Sequence, residues 1–179
     1  MQGIELLPDQ ATERAVGNVW RRLLDAGLPS QAAHRHPTNR PHLTLVTADD
    51  CPAEIRVQLQ DAFTVLPVPL RLGGTVRFTG RINVLAWAVL PDPDLLRLQE
   101  RVWEALACAP ACGRLNPLQN PERWKPHITL GRGRSAYWPG VDADILPEAS
   151  GGPEHVLLGR WVGARTYDSI ARTTACLGP

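Results

Sequence analysis

Hydrophobic residues recur at helical spacing in two stretches of the chain, and each stretch follows a Pro-Asp pair. The stretches cover residues 11–26 and 94–107, with apolar positions at Val16, Val19, Trp20, Leu23 and Leu24 and at Leu95, Leu98, Val102 and Leu106. Positions three and four apart share one face of a helix, so both stretches predict amphipathic helices that cover a sheet. Asp9, and Asp92 or Asp94, are predicted to cap the two N-termini.

The remaining apolar stretches are short, and they predict strands. We expect strands at residues 4–7, 68–78, 84–90, 156–162 and 167–176, with a closing turn at 163–167 that begins at Gly163. A further helix is predicted at 53–63, with a weaker counterpart at 138–145.

The two halves of the chain resemble each other. Leu7-Pro8-Asp9 matches Leu90-Pro91-Asp92, and Val19-Trp20 matches Val102-Trp103, in both cases 83 residues later. Self-similarity at a fixed shift predicts two copies of one structural unit. We therefore expect a single α+β domain over residues 1–179 that is made of two pseudo-repeats, at about 1–83 and 84–179. Two small antiparallel sheets would flank a central cleft, with the helices on the outside.

A six-residue phrase occurs once in each half. Arg40-Pro41-His42-Leu43-Thr44-Leu45 returns 85 residues later as Lys125-Pro126-His127-Ile128-Thr129-Leu130, and these phrases contain two of the five histidines. Alternate side chains of a strand share a face. His42, Thr44 and Val46 are thus predicted to share one face, and His127 and Thr129 to share the corresponding face of the second copy.

Two imidazoles and two hydroxyls can perform acid/base chemistry on a phosphodiester. With ordinary pKa values near 6.5, one histidine can be neutral while the other is protonated. The neutral ring accepts a proton from water or a hydroxyl, and the protonated ring donates one to the departing alkoxide. Threonine hydroxyls can donate hydrogen bonds to the phosphate oxygens. This chemistry needs no metal or other cofactor, and we predict neither.

Composition narrows the functional classes. A formal net charge of +1 argues against a long nucleic-acid footprint, which needs many contacts between cationic side chains and phosphates, although it allows recognition of a strand end or a nucleotide. No apolar run approaches a membrane span and no signal peptide is evident, so we expect a cytoplasmic protein without a membrane partner. The four cysteines are predicted to be free thiols. Nothing indicates an obligate protein partner, and we expect a monomer.

The paired phrases resemble those of the 2H phosphoesterase superfamily, in particular its 2′-5′ RNA ligase-like branch. The resemblance rests on residues 41–45 and 126–132, with support from the first strand and helix and from the strand at 84–90. It implies two lobes around a cleft and the opening of 2′,3′-cyclic phosphates at RNA ends, or of small cyclic nucleotides, to 2′-phosphomonoesters. It also implies His127 as the base and His42 as the acid. Thr44, Thr129 and Arg132 would bind phosphate.

Further substrate-binding candidates flank the phrases. Arg40 and Lys125 precede the histidines by two positions, where they could recruit phosphate or remain solvated charges. Trp124, Tyr137 and Trp138 follow or precede the second phrase, where one of them could stack on a nucleobase or pack within a loop. Arg132 has opposite strand parity to His127, so it would reach the phosphate only if the strand ends or bends at Gly131.

Two alternative functions remain open. The same histidine pair could join a 2′,3′-cyclic phosphate end to a 5′-hydroxyl end, which is 2′-5′ RNA ligation. The chain could instead bind RNA ends or nucleotides without turning them over. The presence of both histidines and both threonines argues against the silent binder.

Overall fold

Three α-helices and one antiparallel sheet of seven strands make up the fold, which the computed structural model describes for residues 1–139 and 156–178. The predicted α+β class is confirmed. The strands are β1 (Gln2–Pro8), β2 (Leu43–Ala48), β3 (Val68–Phe78), β4 (Asn83–Val89), β5 (His127–Gly133), β6 (Leu157–Asp168) and β7 (Thr173–Cys176). The helices are α1 (Gln10–Asp25), α2 (Ala53–Ala62) and α3 (Pro93–Ala107).

The two amphipathic helices begin at the predicted caps. The Asp9 carboxylate accepts a hydrogen bond from the backbone N–H of Thr12 at 2.8 Å, and that of Asp92 accepts one from Asp94 at 2.9 Å. The predicted apolar stripes are buried, except for Leu24, which is 45% exposed. Helix α2 confirms the prediction at 53–63, whereas its counterpart at 138–145 falls almost wholly outside the described residues. No described helix has the length and apolar composition needed to cross a membrane.

The strands form one continuous sheet, whereas two separate sheets were predicted. The strand order is β2-β1-β6-β3-β4-β5, with β7 also paired to β6. The first half of β3 pairs with the first half of β6, from Val68 opposite Trp161 to Leu72 opposite Leu157. The second half of β3 pairs with β4, and that of β6 pairs with β1. The pairing of β3 with β6 therefore joins the two predicted sheets.

The predicted turn at 163–167 is wrong. Strand β6 continues from Leu157 to Asp168, and Gly163 lies within it, opposite Leu7 of β1. The register shifts between Leu7 and Pro8, so one extra residue of β6 is accommodated just before Gly163. A glycine inside a strand often marks such an irregularity rather than the end of the strand. The turn at the end of β6 comes later, at residues 169–172.

The strand order has the symmetry that a duplication would produce. β1, β2 and β3 of the first predicted repeat correspond to β4, β5 and β6 of the second, and the order reads the same from either end under this correspondence. The third strand of each repeat pairs with the first strand of the other. The division into pseudo-repeats at about 1–83 and 84–179 stays a prediction.

The sheet curls so that its two outermost strands meet. β2 and β5 lie at opposite ends of the strand order, yet they contact each other. Helix α1 contacts β5 and β6, and helix α3 contacts β2 and β3, so each strand that carries a histidine phrase is supported by the helix of the other predicted repeat. The curl and these crossed contacts bring the two phrases together.

Gly131 allows a close approach between β5 and the segment that follows α1. A Cβ atom at this position would overlap the carbonyl oxygen of Pro29 and lie 2.9 Å from its carbonyl carbon. That carbonyl also accepts a hydrogen bond from Nε1 of the buried Trp138 at 2.8 Å, which holds it in place. The contact involves backbone on both sides, so it has little freedom to relax.

We expect Gly131→Ala to lower the free energy of unfolding by about 1–3 kcal/mol, because the added methyl group overpacks this contact. The measurement is denaturant unfolding followed by circular dichroism. Gly17→Ala is the matched control: Gly17 lies in helix α1 and a Cβ there meets nothing within 4 Å. Alanine should stabilise that helix by about 0.5–1 kcal/mol. Equal stabilities for Gly131→Ala and the wild type would contradict the close approach.

Candidate active site

A β-bulge lies at the same place in both histidine strands. In β2, Thr44 is opposite Glu5 and Val46 is opposite Ile4, so Leu45 is an extra residue. In β5, the same irregularity leaves Leu130 as the extra residue between Thr129 and Gly131. A bulge interrupts the alternation of side chains. Val46 is consequently fully buried with Leu43, and the prediction that it shares the face of His42 is wrong.

The bulges expose backbone carbonyls that tryptophan side chains satisfy. Nε1 of Trp124 donates to the carbonyl of Thr44 at 3.1 Å, and Nε1 of Trp20 donates to the carbonyl of Thr129 at 3.0 Å. A buried carbonyl without a partner would be destabilising. These indoles therefore support the bulged geometry that positions the residues after each histidine.

Each histidine ring is fixed by its own phrase. Nδ1 of His42 lies 2.7 Å from the carbonyl oxygen of Arg40, and Nδ1 of His127 lies 2.7 Å from that of Lys125. A carbonyl only accepts hydrogen bonds, so both Nδ1 atoms must carry a proton. In a neutral ring the other nitrogen, Nε2, is then the free base. Both phrases thus present Nε2 as the atom that gains or loses a proton.

His127 is held in a poorly hydrated position. Its ring lies against Phe78, with centroids 4.7 Å apart and planes tilted by 46°. Burial lowers the pKa of His127 below the ordinary 6.5; the hydrogen bond to the Lys125 carbonyl opposes this, and the positive charge of His42 adds to the lowering. The contact between β2 and β5 is consistent with this electrostatic contribution. His127 is consequently suited to be the neutral partner at neutral pH.

His42 has different surroundings. Its Nε2 lies 3.4 Å from Oε1 of Glu5, a distance at which a protonated ring forms an ion pair with the carboxylate. The other oxygen of Glu5 accepts a hydrogen bond from Nε of Arg165 at 2.8 Å. His42 therefore faces a buried carboxylate, whereas His127 faces an aromatic ring.

The bulge also changes the position of Arg132. Thr129 is paired with Ala86, and Arg132 with Val84, and these two residues of β4 share one face of the sheet. Arg132 therefore lies on the face that carries Thr129 and His127, although simple alternation predicted the opposite face. Its side chain is exposed. The sequence predicts that Arg132 reaches this face only if the strand ends or bends at Gly131. The bulge at Leu130 provides that irregularity.

The remaining candidates occupy varied positions. Arg40 forms a two-pronged ion pair with Glu13, with contacts of 2.8 and 2.7 Å, so its charge is already paired. Lys125 is exposed, and Tyr137 is 71% exposed. Trp138 is only 3% exposed, so the packing alternative holds and its ring face is closed to a base in this structure. Trp124 is partly buried and uses its N–H at the first bulge.

The sequence reading missed Glu5, Arg165 and Phe78. Glu5 offered a signal, because it is a carboxylate between the apolar residues Ile4 and Leu6 in a predicted strand. Arg165 and Phe78 offered none, since Arg165 reaches Glu5, and Phe78 reaches His127, only through the folding of strands far apart in the chain.

Comparisons with known proteins agree with this architecture. The sequence model of the 2′-5′ RNA ligase superfamily matches residues 8–158. Among solved structures, TT0787 of Thermus thermophilus is 18% identical, with 98% of this chain and 94% of that chain covered and a TM-score of 0.60. Usb1 of Kluyveromyces marxianus is 13% identical, with 98% and 96% covered and a TM-score of 0.55. At these identities, the likenesses show the fold alone. A search of curated proteins found no significant match.

We expect the ring of His127 to titrate with a midpoint below 6.5, because burial disfavours its charged form. Phe78→Ala should move the midpoint upward toward 6.5, since removal of the aromatic ring lets water reach the imidazole. The measurement is an NMR titration of the ring C–H signals, with free imidazole in the same tube as the reference. A midpoint at or above 6.5 in the wild type would contradict the described environment.

Proposed function

The chain belongs to the 2′-5′ RNA ligase superfamily, and from that premise we propose that it is a metal-independent cyclic phosphodiesterase. The resemblance expected from the two histidine phrases is confirmed at the level of the superfamily. The proposed substrates are 2′,3′-cyclic phosphates at RNA ends or in small nucleotides, and the proposed products are 2′-phosphomonoesters.

One observation carries this proposal. His42 and His127 lie at the starts of β2 and β5, which contact each other at the two ends of the sheet. Both histidines direct Nδ1 to a backbone carbonyl, which leaves two Nε2 atoms to exchange protons. The contact between β2 and β5 and the contribution of His42 to the lowered pKa of His127 support the proposal that both rings act on one phosphate. A symmetric pair of proton carriers is what the opening of a cyclic diester needs: one accepts a proton from the nucleophile and one donates a proton to the leaving oxygen.

In the proposed reaction, Nε2 of neutral His127 removes a proton from water. The resulting hydroxide attacks phosphorus, the bond between phosphorus and O3′ breaks, and Nε2 of protonated His42 gives its proton to O3′. The products are a 2′-phosphomonoester and a 3′-hydroxyl, and solvent exchange resets both rings. The lowered pKa of His127 supports its role as the base, because the ring remains neutral where an ordinary imidazole is partly protonated.

The phosphate is proposed to lie between two threonine hydroxyls. Within the described part of the chain, neither the hydroxyl of Thr44 nor that of Thr129 has a hydrogen-bond partner, so both can donate to non-bridging oxygens. Arg132 would add a positive charge from the same face. Lys125 and the exposed ring of Tyr137 are proposed to contact the nucleotide. Arg40 is the weaker candidate because Glu13 already pairs with it.

We expect a short RNA that ends in a 2′,3′-cyclic phosphate to be converted to a 2′-phosphate in the presence of EDTA. His42→Ala and His127→Ala should each reduce turnover by about 10² or more, because each removes one proton transfer. The matched control is His34→Ala, which removes an exposed histidine from the loop before the first phrase. Circular dichroism checks that every variant is folded.

Three outcomes would contradict the proposal in different ways. Loss of wild-type turnover in EDTA that a divalent cation restores would exclude the metal-independent mechanism. Near-normal turnover of either phrase variant would exclude the paired roles. Binding of the RNA without conversion would identify the protein as a silent binder of RNA ends.

Ligation is the second candidate function, and the family description favours including it. By microscopic reversibility, the same two histidines can join ends when a 5′-hydroxyl replaces water as the nucleophile. The same reaction tube tests this when a 5′-hydroxyl RNA strand is added. A joined product that resists nucleases specific for 3′-5′ linkages would indicate a 2′-5′ bond, and its absence would leave hydrolysis as the activity.

A further inference from the structure

The two histidine strands have equivalent neighbours at two positions, and the residues there differ. In the first half of the sheet, Thr44 is opposite Glu5, and Glu5 is opposite Arg165. In the second half, Thr129 is opposite Ala86, and Ala86 is opposite Val76. Each set of opposed residues starts from the threonine that lies two positions after a histidine. Glu5 is therefore the equivalent of Ala86, and Arg165 is the equivalent of Val76.

Glu5 and Arg165 form a buried ion pair, in which Arg165 holds one of the two carboxylate oxygens of Glu5. Glu5 is 3% exposed and Arg165 is 7% exposed. Besides its 2.8 Å contact with Glu5, Arg165 donates from Nη2 to the carbonyl of Thr38 at 3.0 Å. This leaves Oε1 of Glu5 directed toward Nε2 of His42, 3.4 Å away.

A buried ion pair is an unpromising way to stabilise a fold. Removing two charges from water costs about as much as their attraction returns, and apolar residues of similar volume are often equal or better. The second half of this same sheet fills the equivalent positions with alanine and valine. The sheet itself therefore does not need charges at Glu5 and Arg165, whereas the contact of Glu5 with His42 and the hydrogen bond from Arg165 to the Thr38 carbonyl use them.

We infer that Glu5, held in place by Arg165, is a positioning residue that pairs with the imidazolium form of His42 and so makes His42, rather than His127, the general acid. The inference rests on the proposed function, because His42 is a general acid only if the protein catalyses the proposed reaction. Among the described residues, the charged or titratable groups around His42 are Glu5 from β1, Arg165 from β6 behind Glu5, and His127 from β5. Only Glu5 among them is an anion.

The direct test replaces Glu5 and Arg165 with the residues that occupy the equivalent positions in the second half of the sheet. The double variant Glu5→Ala with Arg165→Val reproduces the Ala86–Val76 pair, and it leaves neither charge buried alone. We expect its melting temperature to stay close to that of the wild type, while kcat for the cyclic phosphate falls at least about 10-fold and KM changes by less than about twofold. A folded double variant with wild-type kcat would overturn the inference, because the pair would then be structural only.

A single substitution and a spectroscopic signal make the test independent of turnover. Glu5→Gln keeps the shape of the side chain and removes its charge, and Glu100→Gln makes the same change at an exposed position of α3 as the control. In ¹⁵N-histidine-labelled protein, the ring nitrogen signals of His42 should change in Glu5→Gln and in the double variant, because Nε2 of His42 loses its anionic partner. The signals should not move in Glu100→Gln.

The two readouts separate failure of the inference from failure of the proposed function. Unchanged His42 signals in Glu5→Gln would overturn the inference, whatever the enzyme does. If those signals move as expected but the wild type does not convert any cyclic phosphate, the ion pair with His42 stands and the proposed reaction is wrong.

Discussion

The hydrogen bond from each histidine Nδ1 to the carbonyl two residues earlier determines what the site can do. The bond sets the orientation of both rings and leaves Nε2 as the reactive atom in each. In both phrases a proline separates the carbonyl from the histidine, and a residue before proline is restricted to extended conformations. The phrase itself therefore prepares the ring, which explains why it can work in the same way in two halves of a sheet.

The two bulges connect this local geometry to the whole fold. Each places the residue after the bulge on a new face, and each leaves a threonine carbonyl that an indole N–H satisfies. Those indoles come from α1 and from the loop before β5, so the helices and loops that form the core also hold the two histidine strands. At Gly131 the second bulge additionally permits the close approach of Pro29.

Pattern reading predicted the elements well and the irregularities poorly. The helices, the caps and the alternation at His42 and Thr44 depend on local spacing, which a sequence displays. The bulges do not: Leu45 and Leu130 look like ordinary alternating positions, so Val46 was placed on the wrong face and Arg132 seemed out of reach. Gly163 suggested a turn because its pairing with Leu7 depends on β1, far away in the chain. The Glu5–Arg165 contact joins residues 160 apart, and no local pattern reveals it.

The two halves of the sheet are nearly symmetric, but the residues around the two histidines differ, and this difference makes the two rings chemically distinct. The two closely similar phrases present two equivalent Nε2 atoms, and their neighbours make the two rings unequal. Phe78 and burial favour the neutral form of His127, while a buried carboxylate lies beside His42. Reaction of one ring as a base and the other as an acid then requires no difference in the phrases themselves.

A crystal structure of the protein with a nucleoside 2′-phosphate bound would test most directly that both histidines act on one phosphate. We expect the phosphate to lie between Nε2 of His42 and Nε2 of His127, within hydrogen-bond distance of both, with the hydroxyls of Thr44 and Thr129 donating to its oxygens. A phosphate bound to one half of the sheet alone, or away from the histidine strands, would contradict the two-histidine mechanism.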